Sequence, residues 1–225
     1  MSITDVAAGE KSHEASAPII TDEEVEARVI RLAKRPIMFE EFLVLNINNS
    51  LELIDGVMVE KVAAQLEHEK LIVWLLTLLN AFVRHKRLGI VVSSRMTVKI
   101  DDYRGRLPDL LFVRQDRIGI VDQRAVYGAP DLVIELISPH DRPSDRIALE
   151  TDYRAIGVPE IIFIDQQKLH VLILRQGKSG YEEIEMAAGA LNFVAISGFA
   201  VQLDWLFGEP RPDEFDLLRT LLNEP

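Results

Sequence analysis

Residues 131–165 constrain the fold more than any other part of this chain. The run Asp131-Leu132-Val133-Ile134-Glu135-Leu136-Ile137-Ser138 is short and almost continuously apolar, the pattern of a strand covered on both faces. Residues 142–156 then carry helical spacing and stop at Gly157 and Pro159, two residues that end a helix. The buried-strand pattern returns in Glu160-Ile161-Ile162-Phe163-Ile164-Asp165. Strand, helix and strand in this succession predict a parallel βαβ unit, whose sheet needs cover on each side. The expected class is α/β, with a mixed central β-sheet flanked by helices.

The remaining segments fit that class. Residues 1–20 are small, polar and unpatterned, and read as a disordered tail. Thr21-Asp22-Glu23-Glu24 matches a capping box and predicts a helix to about residue 34, closed by Pro36. Residues 39–45 form a second short helix, and residues 51–60 a hairpin turning on Asp55-Gly56, a pair that accepts positive φ. Residues 65–86 carry the strongest helical pattern. Leu71, Trp74, Leu75, Leu78, Leu79 and Phe82 make one stripe, which Ile72, Val73 and Leu76 widen. So broad a face implies a sheet on one side and another element or subunit on the other. Strands are expected at 90–100, 108–114, 131–138, 160–165, 169–175, 180–187 and 191–196, with an amphipathic helix at 213–223. The resulting division is a tail at 1–20, one domain with N-terminal helices at 21–212, and a C-terminal helix at 213–225.

Composition narrows the functional classes. A chain of 225 residues, 48% apolar and 27% charged, can bury a full core. It has no cysteine, which excludes disulfides and thiolate metal sites. Its longest greasy stretch, residues 72–83, is too short to span a bilayer and is interrupted by Thr77 and Asn80. The first residues lack the basic and apolar regions of a secretory leader. The expectation is a cytoplasmic protein with no membrane partner. A net charge of −11 argues against a broad nucleic-acid surface, because neutralising phosphates takes Lys and Arg. A nuclease with local basic residues is still compatible. Arg95, Lys99, Arg104, Arg106, Arg114 and Arg117 share a short span, although solvated strand ends and loops are the plainer reading.

Two acids stand out because of their surroundings. Asp109 lies in Leu107-Pro108-Asp109-Leu110-Leu111-Phe112-Val113, and Glu135 lies inside the 131–138 run. An ionised carboxylate in such a strand costs several kcal/mol, on the order of a full desolvation penalty, unless a cation, a metal or a set of donors compensates it. Neighbouring strands would bring both acids to one divalent ion. Each also has a plainer explanation. Asp109 could anchor backbone amides after a proline, and Glu135 could face outward or pair with a buried arginine. Glu52 and His68 are further candidates, with surface positions as the alternative. Trp74 and Trp205 fit core anchors better than base-stacking platforms, since neither sits among basic residues.

Several motifs in order resemble one family. Glu52-Leu53-Ile54-Asp55-Gly56, His68, Pro108-Asp109, the run 128–139 ending Glu135-Leu136-Ile137-Ser138-Pro139, Tyr153, Gly157-Val158-Pro159-Glu160 and Ile164-Asp165 together resemble the Uma family of restriction-endonuclease-like proteins, within the PD-(D/E)XK nuclease superfamily. The likeness runs from about residue 36 to residue 207. It implies a Mg²⁺- or Mn²⁺-dependent DNA endonuclease in which Asp109 and Glu135 hold the metal and the Leu136 carbonyl is a third ligand.

The resemblance breaks at one position. The family's lysine is carried in an Asp-x-x-x-Lys-x-x-x-Tyr pattern, and here Asp145 and Tyr153 are present while Leu149 replaces the lysine. Losing one electrostatic contact to a transition state costs about 10²–10³-fold in rate. Arg146, three residues earlier, could clamp a phosphate but cannot act as a base. Lys70 and Lys99 are other cations without a spacing argument. The reading is an endonuclease with catalytic residues Asp109, Glu135 and Arg146, expected to act on DNA as a homodimer. The alternative is a nuclease fold that has lost its chemistry and serves as a binding module.

Overall fold

The computed structural model describes residues 35–46, 50–61, 65–93, 95–138 and 141–223. The tail and the helix expected at 21–34 lie outside the described residues. In chain order the elements begin with α1 (Phe39–Leu45), β1 (Leu51–Ile54), β2 (Val57–Glu60) and α2 (Leu66–Lys86). Next come β3 (Gly89–Ser93), β4 (Thr97–Asp101), β5 (Arg104–Arg106), β6 (Leu110–Arg114), a 3-10 turn and β7 (Ala125–Val126). Then follow β8 (Leu132–Ile137), α3 (Pro143–Ile156), β9 (Glu160–Asp165), β10 (His170–Gly177) and β11 (Gly180–Met186). The chain closes with β12 (Ala190–Asn192), β13 (Ala200–Gln202), α4 (Leu203–Phe207) and α5 (Glu214–Asn223).

The βαβ unit forms as its pattern predicts. β8 and β9 pair in parallel from Leu132↔Glu160 to Ile137↔Asp165, and α3 is the crossover. The Asp145 carboxylate accepts the Arg142 amide at 3.1 Å to cap its start, and Gly157 ends it at φ 77°. These strands sit in a six-stranded mixed sheet, β11-β10-β9-β8-β6-β3, whose other pairings are antiparallel.

Strand alternation divides the side chains between two faces. Leu110, Phe112, Leu132, Ile134, Leu136, Ile162 and Ile164 meet the apolar stripe of α2. Val133, Ile161 and Phe163 turn the other way, against Tyr153 of α3 and Val158. On that same side Leu111 and Val113 pack with Val98 and Val126, which belong to a second, five-stranded sheet of order β2-β1-β5-β4-β7. A smaller core beside it joins Phe39, Phe42 and Leu43 of α1 to Leu53 and Met58 of the hairpin.

The breadth of α2 has a partial explanation within the chain. The Trp74 indole donates to the Pro212 carbonyl at 2.9 Å, and Leu217, Leu218 and Leu221 of α5 join the α2 cluster. Among the described residues, no helix is long and apolar enough to cross a membrane.

Two sequence expectations need correcting. The strand expected at 90–100 is two strands in different sheets, separated near Arg95, which adopts φ 89°. The polar Ser93-Ser94-Arg95 interrupts the apolar pattern at that break, and the apolar residues on either side alone suggest one continuous strand. The strand at 191–196 shortens to β12, because Phe199 donates back to the Ile196 carbonyl at 3.1 Å and Gly198 takes φ 82°.

Candidate active site

The register of the central sheet brings the two acids together. β6 and β8 pair antiparallel as Leu110↔Ile134, Leu111↔Val133 and Phe112↔Leu132, so one further step sets Asp109 opposite Glu135. Pro108 has no amide to extend the ladder, and the strands part at this point. Both carboxylates are 3% exposed. The Asp109 amide donates to Glu135 Oε2 at 3.3 Å, and the Leu136 amide donates to Asp109 Oδ2 at 2.9 Å. In an extended strand the N–H and C=O of a residue face the same neighbour, so the Leu136 carbonyl is also turned toward Asp109.

The cation facing these acids is Lys61, one residue past β2. Its ammonium donates to Asp109 Oδ1 at 2.7 Å and to the Leu107 carbonyl at 2.8 Å, and lies 3.8 Å from Glu135 Oε2. His68, at the start of α2, places Nε2 3.2 Å from Asp109 Oδ2. Its buried Nδ1 has no hydrogen-bond partner. From the opposite side the Tyr153 hydroxyl donates to Glu135 Oε1 at 2.6 Å.

The two carboxyl groups titrate in opposite directions. Burial raises Asp109, but the charge of Lys61 and the bond from His68 outweigh it and hold the group at about 2. Glu135 is pushed up to about 8, first by burial, which Lys61 offsets only in part, and further by the charge on Asp109. The pair thus favours one negative charge and one proton near neutrality. Lys61 sits above the ordinary lysine value: burial lowers it, and Glu135, Asp109 and Glu52 raise it more. Tyr153 is raised well above its ordinary value by burial and by the neighbouring Glu135.

A second layer holds the Pro108-Asp109 segment in place. Glu52 accepts the Leu107 amide at 2.9 Å and the Arg106 guanidinium at 3.0 Å. Arg106 also donates to Asp152 of α3 at 2.7 Å, and Arg104 reaches Asp152 at 3.1 Å. Glu52 therefore spends its carboxylate on the backbone just before Asp109. The basic run of the sequence is largely consumed by internal pairs of this kind. Arg106 is buried, in contrast to the solvated position expected, while Arg114 bonds Asp116 and Arg117 bonds Asp131.

The other predicted cations lie elsewhere. Arg146 bonds Glu150 at 3.2 Å and stacks over Phe163, with its guanidinium carbon 6.0 Å from the ring centroid. It lines a crevice of about 470 Å³ with Ile137, Asp141, Arg142, Asp165, Lys168 and His170. That crevice opens at the C-terminal ends of β8 and β9, where Ile137 and Asp165 line it. Lys70 pairs with Glu67 at 2.7 Å, and Lys99 with Asp102 at 3.0 Å. Leu149 packs against the cluster of Val133, Tyr153 and Phe163 and brings no charge.

Sequence reasoning missed Lys61, although a signal for it existed. The hairpin register pairs Glu52 with Val59, and residues two apart on a strand share a face. Continuing that alternation past Glu60 sets Lys61 on the face of Glu52, beside the Pro108-Asp109 segment.

A donor set of two carboxylates and a main-chain carbonyl fits a hard divalent ion. Mg²⁺ characteristically takes one or two carboxylates and fills its remaining positions with water and substrate phosphate. Among the described residues no group of three or more His, Cys, Asp and Glu side chains is placed to hold a metal ion.

A parallel βαβ unit inside a mixed sheet, with paired acids where the strands part, is the restriction-endonuclease-like arrangement. Comparison with known proteins agrees with this class. The Uma2 family model, described as "Putative restriction endonuclease", matches residues 39–214. The chain belongs to that family. Among solved structures it is similar to a "putative nuclease belonging to DUF820" from Anabaena variabilis, with TM-score 0.66 and 20% identity over 76% of this chain and 98% of that one. At that identity the likeness speaks for the fold alone. No curated protein matches the sequence.

Proposed function

We propose that the protein is a Mg²⁺- or Mn²⁺-dependent endonuclease that hydrolyses phosphodiester bonds in DNA. The observation that supports it most is the buried pair Asp109 and Glu135, opposite one another in register and both facing the Lys61 ammonium. A purely structural pair would be better served by apolar residues, since burying charge seldom stabilises a fold on balance.

Asp109 and Glu135 would hold the ion, with the Leu136 carbonyl as third ligand. When bound, a divalent ion polarises a phosphate oxygen and lowers the pKa of a coordinated water. The side chains around it would set the geometry. Tyr153 fixes one oxygen of Glu135, and the Leu136 amide fixes one oxygen of Asp109, so each acid keeps a defined oxygen toward the ion. Glu52 and Arg106 hold the strand end that carries Asp109. A nucleic-acid strand would reach the site along the crevice at the ends of β8 and β9, a common location for ligands of parallel strands. There Arg146 would leave Glu150 to clamp a phosphate. A homodimer would present two such sites to the two strands of a duplex.

The second reading is a nuclease fold without chemistry, acting as a binding module. The apolar packing of Leu149 favours it. Plasmid incubated with purified protein and Mn²⁺ separates the two. Nicking that disappears in Asp109→Ala supports the enzyme. Nicking that appears only after Leu149→Lys supports the inactive scaffold.

A further inference from the structure

We infer that Lys61 is the catalytic lysine of this chain, supplied from the end of β2 in place of the helix position that Leu149 occupies. The inference rests on the endonuclease reading and adds to it the residue that carries the transition-state charge.

Hydrolysis of a phosphodiester needs a positive group beside the metal carboxylates, where the attacking oxygen and the phosphorane oxygens gather charge. Among the described residues, Lys61 is the lysine bonded to the carboxylate pair, at 2.7 Å from Asp109 Oδ1 and 3.8 Å from Glu135 Oε2. Lysine has three N–H donors. Two are used, one on Asp109 and one on the Leu107 carbonyl, and 3.8 Å to Glu135 is too long for a hydrogen bond. Among the described residues the third meets no acceptor, which leaves it for a substrate oxygen. The side chain is 37% exposed while its carboxylate partners are buried, and its ammonium end is drawn in against them.

Its anchoring favours a fixed role. The Leu107 carbonyl that takes one N–H belongs to the segment that Glu52 holds through the Leu107 amide, so ammonium and Asp109 are positioned by the same short piece of chain. A helix lysine at 149 would come from the opposite side, one turn before Tyr153, whose hydroxyl touches Glu135. The two positions therefore flank one carboxylate pair, and a cation at either meets the same electrostatic need.

In the reaction, a bond forms from the water oxygen to phosphorus as the bond from phosphorus to the leaving oxygen breaks. The water proton passes to solvent, and the leaving oxygen takes a proton from solvent. Lys61 keeps its own protons throughout and donates a hydrogen bond to a non-bridging phosphate oxygen.

The test uses the full chain with Mn²⁺ and plasmid, comparing wild type, Lys61→Met, Lys61→Met/Leu149→Lys and Asp109→Asn, with Mn²⁺ binding followed by calorimetry on each. Lys61→Met is expected to cut about 10²–10³-fold more slowly while binding Mn²⁺ at least as well as wild type, since an ammonium no longer competes for Asp109. Adding lysine at 149 should restore cutting. Wild-type rates in Lys61→Met overturn the inference and leave the endonuclease reading intact. Loss of both cutting and Mn²⁺ binding in Lys61→Met, unrescued at 149, also overturns it, because Lys61 would then only be holding the fold. No cutting by wild type removes the endonuclease reading and this inference together.

Discussion

At the scale of single residues, the pair Asp109 and Glu135 makes opposite demands on pH. The folded-state value of Asp109 is depressed to about 2, so its contribution to stability is present above the unfolded value and is lost as pH falls toward 2. Glu135 is raised to about 8, so its contribution is complete below the unfolded value of 4.5 and is lost as pH rises through 8. Glu135→Gln removes the second dependence. Urea unfolding should show the variant gaining on wild type as pH rises toward 8, and a constant difference between them would contradict this. Tyr153→Phe leaves Glu135 Oε1 without its donor and should cost about 1–3 kcal/mol by the same measurement. Neither partner was legible from composition. Glu135 stood out because an acid inside a buried strand is rare, while Lys61 follows polar Glu60 and only the hairpin register points to it.

At the scale of elements, the parallel β8–α3–β9 unit was legible because three independent signals coincide in it: apolar runs, helical spacing and a Gly-Pro stop. The hairpin at Asp55-Gly56 was equally plain, with positive φ at both residues, 49° and 75°. The short strands β5 and β7 were not anticipated, and β4 was expected only as the continuation of β3. Each is held by its neighbours in the second sheet and by ion pairs such as Arg106 with Asp152, which lie far apart in sequence. Gly89 shows how tight one junction is. A Cβ there would lie 2.0 Å from the Val113 carbonyl oxygen, so β3 can pair with β6 only with glycine at that position. Gly89→Ala should destabilise by about 1–3 kcal/mol or more, as overpacking does, and a thermal midpoint equal to wild type would argue against the close approach.

At the scale of the whole molecule, the site is a joint between two sheets and a helix. Arg106 ties β5 to Asp152 of α3 and to Glu52 of β1, and the same group of residues carries the segment before Asp109. Arg106→Met leaves Asp152 with Arg104 and Glu52 with the Leu107 amide as their remaining donors and should cost about 1–3 kcal/mol, read by urea unfolding; a change below about 0.5 kcal/mol would place the network outside the core. The −11 charge is a sum over the chain and does not report how the charges are placed. Much of the basic run serves internal pairs, and the proposed nucleic-acid path would depend on the few cations of the crevice. All of this turns on whether Asp109 and Glu135 share a divalent ion, and Mn²⁺ titration by calorimetry tests that most directly. The account predicts saturable binding by wild type that is lost in Asp109→Asn and in Glu135→Gln. Equal heats in all three proteins, or none in wild type, would contradict it.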